Sequence, residues 1–66
     1  MIIWINGERR ELAPDARVLD ALSALGLPQT GVAVAVDGEV VPKGQWAGTT
    51  LAEGARIEVL TAVQGG

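Results

Sequence analysis

An α+β fold, with a mixed sheet of about five strands and one main helix on one face, is what the sequence predicts, and three observations predict it. Asn6-Gly7 and Asp37-Gly38 each separate two β-rich stretches, the pattern of a two-residue hairpin turn. Between the hairpins, Val18, Ala21, Leu22 and Leu25 recur at i, i+3, i+4 and i+7, which draws one apolar stripe along a short helix. Late in the chain, Arg56-Ile57-Glu58-Val59 alternates as a further strand. One helix covers one face of such a sheet, so the opposite face has no helix left to cover it.

The first strand runs from Ile2 to Ile5, and after Asn6-Gly7 the chain returns over Glu8 to Leu12 with alternating polarity. Pro14 and Asp15 interrupt that pattern, and Asp15 is placed to cap the helix that follows. The helix is expected over about Ala16 to Leu25, with Gly26 at the position where a left-handed cap is needed. Gly31 begins a second β section, in which Val32 to Val36 alternates Val with Ala and Glu39 to Val41 returns before Pro42 ends the ladder. Whether the valines or Ala33 and Ala35 face inward is left open, because both sets are apolar. Lys43 to Thr50 reads as irregular, with a helical turn at Gly44 to Ala47; Leu51 plugs the core, and Glu53-Gly54 turns the chain into the last strand. No internal repeat, low-complexity linker or charge block divides the chain. Residues 1–61 therefore read as one domain and residues 62–66 as a flexible tail ending in Gly-Gly.

Composition excludes most chemistry. The 66 residues contain no Cys, no His, no Tyr and one Ser, so the usual zinc sites, a Ser/His/Asp triad and a thiolate nucleophile are all out of reach. No metal site is expected, and any reaction the chain joins is catalysed by another protein. Without disulfides, a domain of this size hides roughly 60% of its unfolded surface and is marginal by itself. Five Lys and Arg against eight Asp and Glu give a net charge of -3, which argues against a nucleic-acid partner and favours a basic protein surface. No apolar run approaches the roughly 18 residues of a membrane helix, and Met1 to Ile5 lacks the basic start of a signal peptide. A cytoplasmic protein is the expectation.

If Ile3 and Ile5 point toward the helix, period-2 alternation sends Ile2 and Trp4 to the uncovered face, and on the last strand Arg56, Glu58 and Leu60 join them. Two readings stand for Trp4 and Leu60: a partner-binding patch, or a locally packed indole beside an ordinary surface leucine. Trp46, near Pro42 and Gly44, reads as a loop anchor packed on the core. Lys43 reads as a solvated loop charge that could also touch an acidic group.

Gly65 and Gly66 answer to no turn. On composition alone such a pair closes roughly one chain in fifty, so it calls for weighing rather than dismissal. Two glycines give a terminal carboxylate no Cβ to block approach and a backbone slim enough for a narrow channel. From Ala62, five extended residues reach roughly 16 Å, enough to carry that carboxylate into another protein's site. The bland alternative is a frayed end.

The whole chain resembles the ThiS family, the ubiquitin-like β-grasp sulfur carriers of thiamine biosynthesis. The resemblance is carried by Ile3-Trp4-Ile5-Asn6-Gly7, by Val40-Val41-Pro42-Lys43-Gly44-Gln45-Trp46 and by the close from Ile57 through Gly65-Gly66. Ala55, after Gly54, departs from the Asp often found there in the family. The resemblance implies that an E1-like adenylyltransferase of the ThiF kind activates Gly66 with ATP. A sulfur donor protein then converts it to a thiocarboxylate, and a thiazole synthase of the ThiG kind receives the sulfur. Gly66 is the sulfur-carrying residue, while Gly65, Gln64 and Val63 present it.

The residues agree with such a role. A terminal carboxylate is ionised at neutral pH and is a poor electrophile until adenylation supplies a leaving group. With no thiol in the chain, the sulfur comes from outside; with no phosphate-binding loop, ATP binds the partner and no cofactor is bound here. Two other functions share the tail: a sulfur carrier for molybdopterin synthesis, and a ubiquitin-like modifier or interaction domain.

Overall fold

The computed structural model describes residues 1–61. Within them the chain forms β1 (Ile2–Ile5), β2 (Glu8–Glu11), α1 (Val18–Ala24), β3 (Val32–Val36), β4 (Glu39–Val41), a single 3-10 turn (Lys43–Gln45) and β5 (Arg56–Thr61). The strands make one sheet in the order β2-β1-β5-β3-β4. β5 lies parallel to β1 and antiparallel to β3, and each hairpin pair is antiparallel. This is the β-grasp arrangement, a mixed five-stranded sheet with one helix on one face.

Both hairpins turn as the dipeptides predict. Asn6 and Gly7 have φ of 48° and 82°, and Asp37 and Gly38 have 51° and 84°. Two successive left-handed residues match the right-handed strand twist, and Asn, Asp and Gly tolerate that geometry best.

The helix is shorter than the periodicity predicts, and its cap is not Asp15. Ala16 and Arg17 are held outside it: the Ala16 carbonyl accepts from Leu51 N–H, and Arg17 bridges to Thr50. Arg17 becomes the N-cap residue, and its own N–H donates to the Asp20 carboxylate at 2.8 Å. The first two helical N–H groups, those of Val18 and Leu19, donate to the Thr49 and Trp46 carbonyls. The loop after β4 therefore satisfies donors that no helix can satisfy internally. At the other end Gly26, with φ of 66°, follows Leu25; Leu27 N–H reaches the Leu22 carbonyl and Gly26 N–H the Ser23 carbonyl. That pair of bonds is a Schellman ending, as the glycine predicts.

The core lies between α1 and the sheet. Ile3, Val18, Leu22, Val34 and Ile57 are its fully buried large side chains, with Leu51 beside them as expected. On β3 the valines turn inward, Val34 completely, which settles what the alternation left open. Trp46 is 2% exposed and its Nε1–H donates to the Val41 carbonyl at 2.8 Å. It anchors the loop from Pro42 to Leu51 in the position from which that loop caps α1. The helical turn in this loop falls on Lys43–Gln45, slightly earlier than predicted, because Pro42 starts it.

Candidate functional site

The open face of the sheet carries the side chains that β alternation sends away from the helix. Trp4 on β1 is 40% exposed and stands opposite Arg9 of β2 on one side and Arg56 of β5 on the other. Leu60, near the end of β5, is 66% exposed and stands opposite Ala33 of β3. Both residues face solvent on adjacent strands, as the alternation predicts.

The register keeps them apart. Trp4 is level with Arg56, four residues before Leu60, so the two side chains are separated by roughly 13 Å along β5. They are two separate exposed side chains and not one contiguous patch. Leu60 has other apolar company: Ala35 lies two residues along β3 from Ala33 and pairs with Val40 of β4, which is 72% exposed. Sequence reasoning missed Val40. The signal was present, since Val41 is an inward residue and its neighbour on a strand must point the other way.

The two regions differ in charge. Trp4 has an arginine as its register partner on each neighbouring strand, and an open groove of about 710 Å³ runs beside it past Gly7, Gly38, Arg56 and Glu58. The groove exists because the glycines have no side chain and Asn6 turns its own toward the backbone of β5, donating to the Val59 carbonyl and accepting from Val59 N–H. The Leu60 region has no such rim of cations: its cross-strand neighbours are alanines, with Glu58 two residues before it on the same strand.

Thr61, the last described residue, pairs with Val32 at the start of β3. Val63, Gln64, Gly65 and Gly66, to which the sequence assigns sulfur carriage and its presentation, lie outside the described residues. Lys43 is exposed in the 3-10 turn, and Trp46 is buried away from the open face. Among the described residues no group of three His, Cys, Asp or Glu is placed to hold a metal ion, and no helix is long and apolar enough to cross a membrane.

Set beside known proteins, the chain is matched by the ThiS family model over residues 3–66. Among solved structures it is similar to a thiamine biosynthesis protein (ThiS) from Geobacter metallireducens. The crystal structure of that protein agrees at a TM-score of 0.86, with 32% identity and all of both chains covered. Its solution structure agrees at 0.77, again at 32% identity, over all of this chain and 88% of that one. The chain is also 33% identical over its 66 residues to a thiazole synthase from Paramagnetospirillum magneticum, and it spans 20% of that relative's length.

Proposed function

The chain belongs to the ThiS family, and from that premise we propose that it is a cytoplasmic sulfur carrier of thiamine biosynthesis, loaded at Gly66 and unloaded by a thiazole synthase. Residues 1–61 are the domain that partners grip, and residues 62–66 are the tail that delivers the terminal carboxylate. The observation that carries this reading is the family match over nearly the whole chain, running through the Gly65-Gly66 close. Support for the receiving partner is separate: a protein named thiazole synthase contains a segment similar to this whole chain.

In the first step the Gly66 carboxylate attacks the α-phosphorus of ATP, held by an E1-like adenylyltransferase, and pyrophosphate leaves. The mixed anhydride so formed has an electrophilic acyl carbon. A hydrosulfide equivalent from a sulfur donor then adds to that carbon and expels AMP, leaving a thiocarboxylate at the chain end. Its sulfur is nucleophilic, and the thiazole synthase takes it up. No side chain of the carrier handles a proton or a phosphate in either step, which accords with a chain lacking His and Cys. Gly65, Gln64 and Val63 present the group; Trp4 and Leu60 are the docking contacts.

Intact-mass analysis tests the proposal. After incubation with a cognate activating enzyme, ATP and a sulfide source, one oxygen of Gly66 is expected to be exchanged for sulfur. Recovery of the unchanged mass, alongside pyrophosphate release on a known carrier by the same enzyme, overturns it. Attachment of Gly66 to a lysine would identify a modifier instead.

A further inference from the structure

Two side chains hold β5 at opposite ends, and each stands at the first central position of a hairpin turn. Asp37 holds the beginning: its Oδ1 accepts from Arg56 N–H at 2.9 Å, while its own N–H donates to the Arg56 carbonyl. Asn6 holds the far end. Its Oδ1 accepts from Val59 N–H at 2.9 Å and its Nδ2 donates to the Val59 carbonyl at 3.2 Å.

Turn geometry does not distinguish the two residues, since Asn and Asp both suit this position. Hydrogen bonding does. Asp37 has only to accept, which a carboxylate does well. At position 6 an acceptor and a donor are needed together on two separate atoms, one for the Val59 N–H and one for its carbonyl, and among short side chains only the amide offers that. An aspartate there would keep the bond to Val59 N–H and set its second oxygen against the Val59 carbonyl.

The site of this clamp gives it a use. The backbone N–H of Asn6 makes the last main-chain bond from β1 to β5, to the Ile57 carbonyl, and the chain then turns away into β2. The Asn6 amide stands in for the strand residue that would have come next. Beyond Val59, the registered partners of Leu60 and Thr61 are Ala33 and Val32, both on β3.

We infer that Asn6 is a positioning residue for loading: by fixing Val59, seven positions before Gly66 (66 − 59 = 7), it sets the direction in which the chain leaves the sheet. This rests on the reading of Gly66 as the loaded residue. Without the clamp, the end of β5 is held from one side and leaves the sheet in several directions. The activating enzyme then captures only the competent fraction, and the apparent affinity falls by that fraction. Once the terminus is seated, its chemistry is unaltered. A rise in KM at constant kcat is the signature.

The test compares Asn6→Gly, which keeps the turn and deletes both bonds, with Asn6→Asp, which keeps one, and with Asp37→Gly, which deletes the corresponding bond at the other end of β5. Amide exchange of Val59 to Thr61, read against Leu22 and Val34, reports the clamp and confirms the fold. Carrier-dependent pyrophosphate release by a cognate activating enzyme gives KM and kcat. Asn6→Gly is expected to speed exchange at Val59 to Thr61 alone and to raise KM roughly tenfold with kcat within about twofold. Asn6→Asp falls between it and the parent, and Asp37→Gly keeps the parent KM. An unchanged KM for Asn6→Gly, or an equal rise for Asp37→Gly, overturns the inference while leaving Gly66 as the loaded residue. Failure of the parent chain to be activated overturns the functional reading itself, and the inference with it.

Discussion

Trp4→Ala and Leu60→Ala test the open face as a docking surface, and the register makes the test quantitative. Truncating an anchor of a protein interface costs about 1–2 kcal/mol when the side chain is buried by the partner. Trp4 and Leu60 are separated by roughly 13 Å along β5, with Glu58 between their levels, so neither contacts the other. Changes that far apart add to within about 0.3–0.5 kcal/mol. The double variant is therefore expected to lose about 2–4 kcal/mol of affinity for the activating enzyme, a rise in Kd of roughly 30- to 1,000-fold. Titration calorimetry on the parent, both single variants and the double variant closes the cycle. Thermal melts run alongside keep stability separate from binding, since neither side chain belongs to the buried core. An unchanged Kd for either single variant removes that residue from the interface. A double variant no weaker than the poorer single one refutes two independent contacts.

Three further outcomes follow from the same packing. Leu22→Ala empties a fully buried helix position and is expected to cost about 2–5 kcal/mol, against a total of roughly 3–10 for a domain this small; a urea midpoint that hardly moves would contradict the placement of α1 on the sheet. Asp20→Ala removes the carboxylate that accepts Arg17 N–H and should cost about 0.5–2 kcal/mol, lowering Tm by about 4–8 °C per kcal/mol; an equal loss on Asp15→Ala would restore Asp15 as the cap. Deleting Gly66 should leave the melting curve unchanged and abolish adenylation, and activation retained by the shortened chain would contradict its role as the loaded residue.

Local chemistry was legible in the sequence; long-range register was not. Asn6-Gly7 and Asp37-Gly38 state their turns because left-handed backbone is cheap for those residues alone, and the alternation around Ile3, Ile5, Ile57 and Val59 states which side chains face the helix. Asp15 was misread as the cap because Ala16 and Arg17 are drawn off by Thr50 and Leu51, which no periodicity near the helix records. Valines and alanines on β3 could not be ranked, since both are apolar and only the volume beside Leu22 and Ile57 selects between them. The separation of Trp4 from Leu60 is of the same kind: it depends on Trp4 lying opposite Arg56, a parallel pairing between opposite ends of the chain. Val63 to Gly66, to which the proposal assigns the chemistry, lie outside the described residues and rest on composition and resemblance.

Strand order bears on how such a tail can be used. β5 lies in the middle of the sheet, with β1 on one side of it and β3 on the other, and the edges are β2 and β4. An edge strand can peel from one neighbour, whereas moving β5 breaks two ladders and the bonds from Asn6 and Asp37. The base from which the tail starts is thus tied to the open face, with Leu60 immediately before the last paired residue. From Thr61 to Gly66 an extended chain covers roughly 16 Å. On the proposal that Gly66 is the loaded residue, a partner that grips Leu60 must therefore hold its reacting centre within about that distance of Thr61, whether it loads the carrier or unloads it.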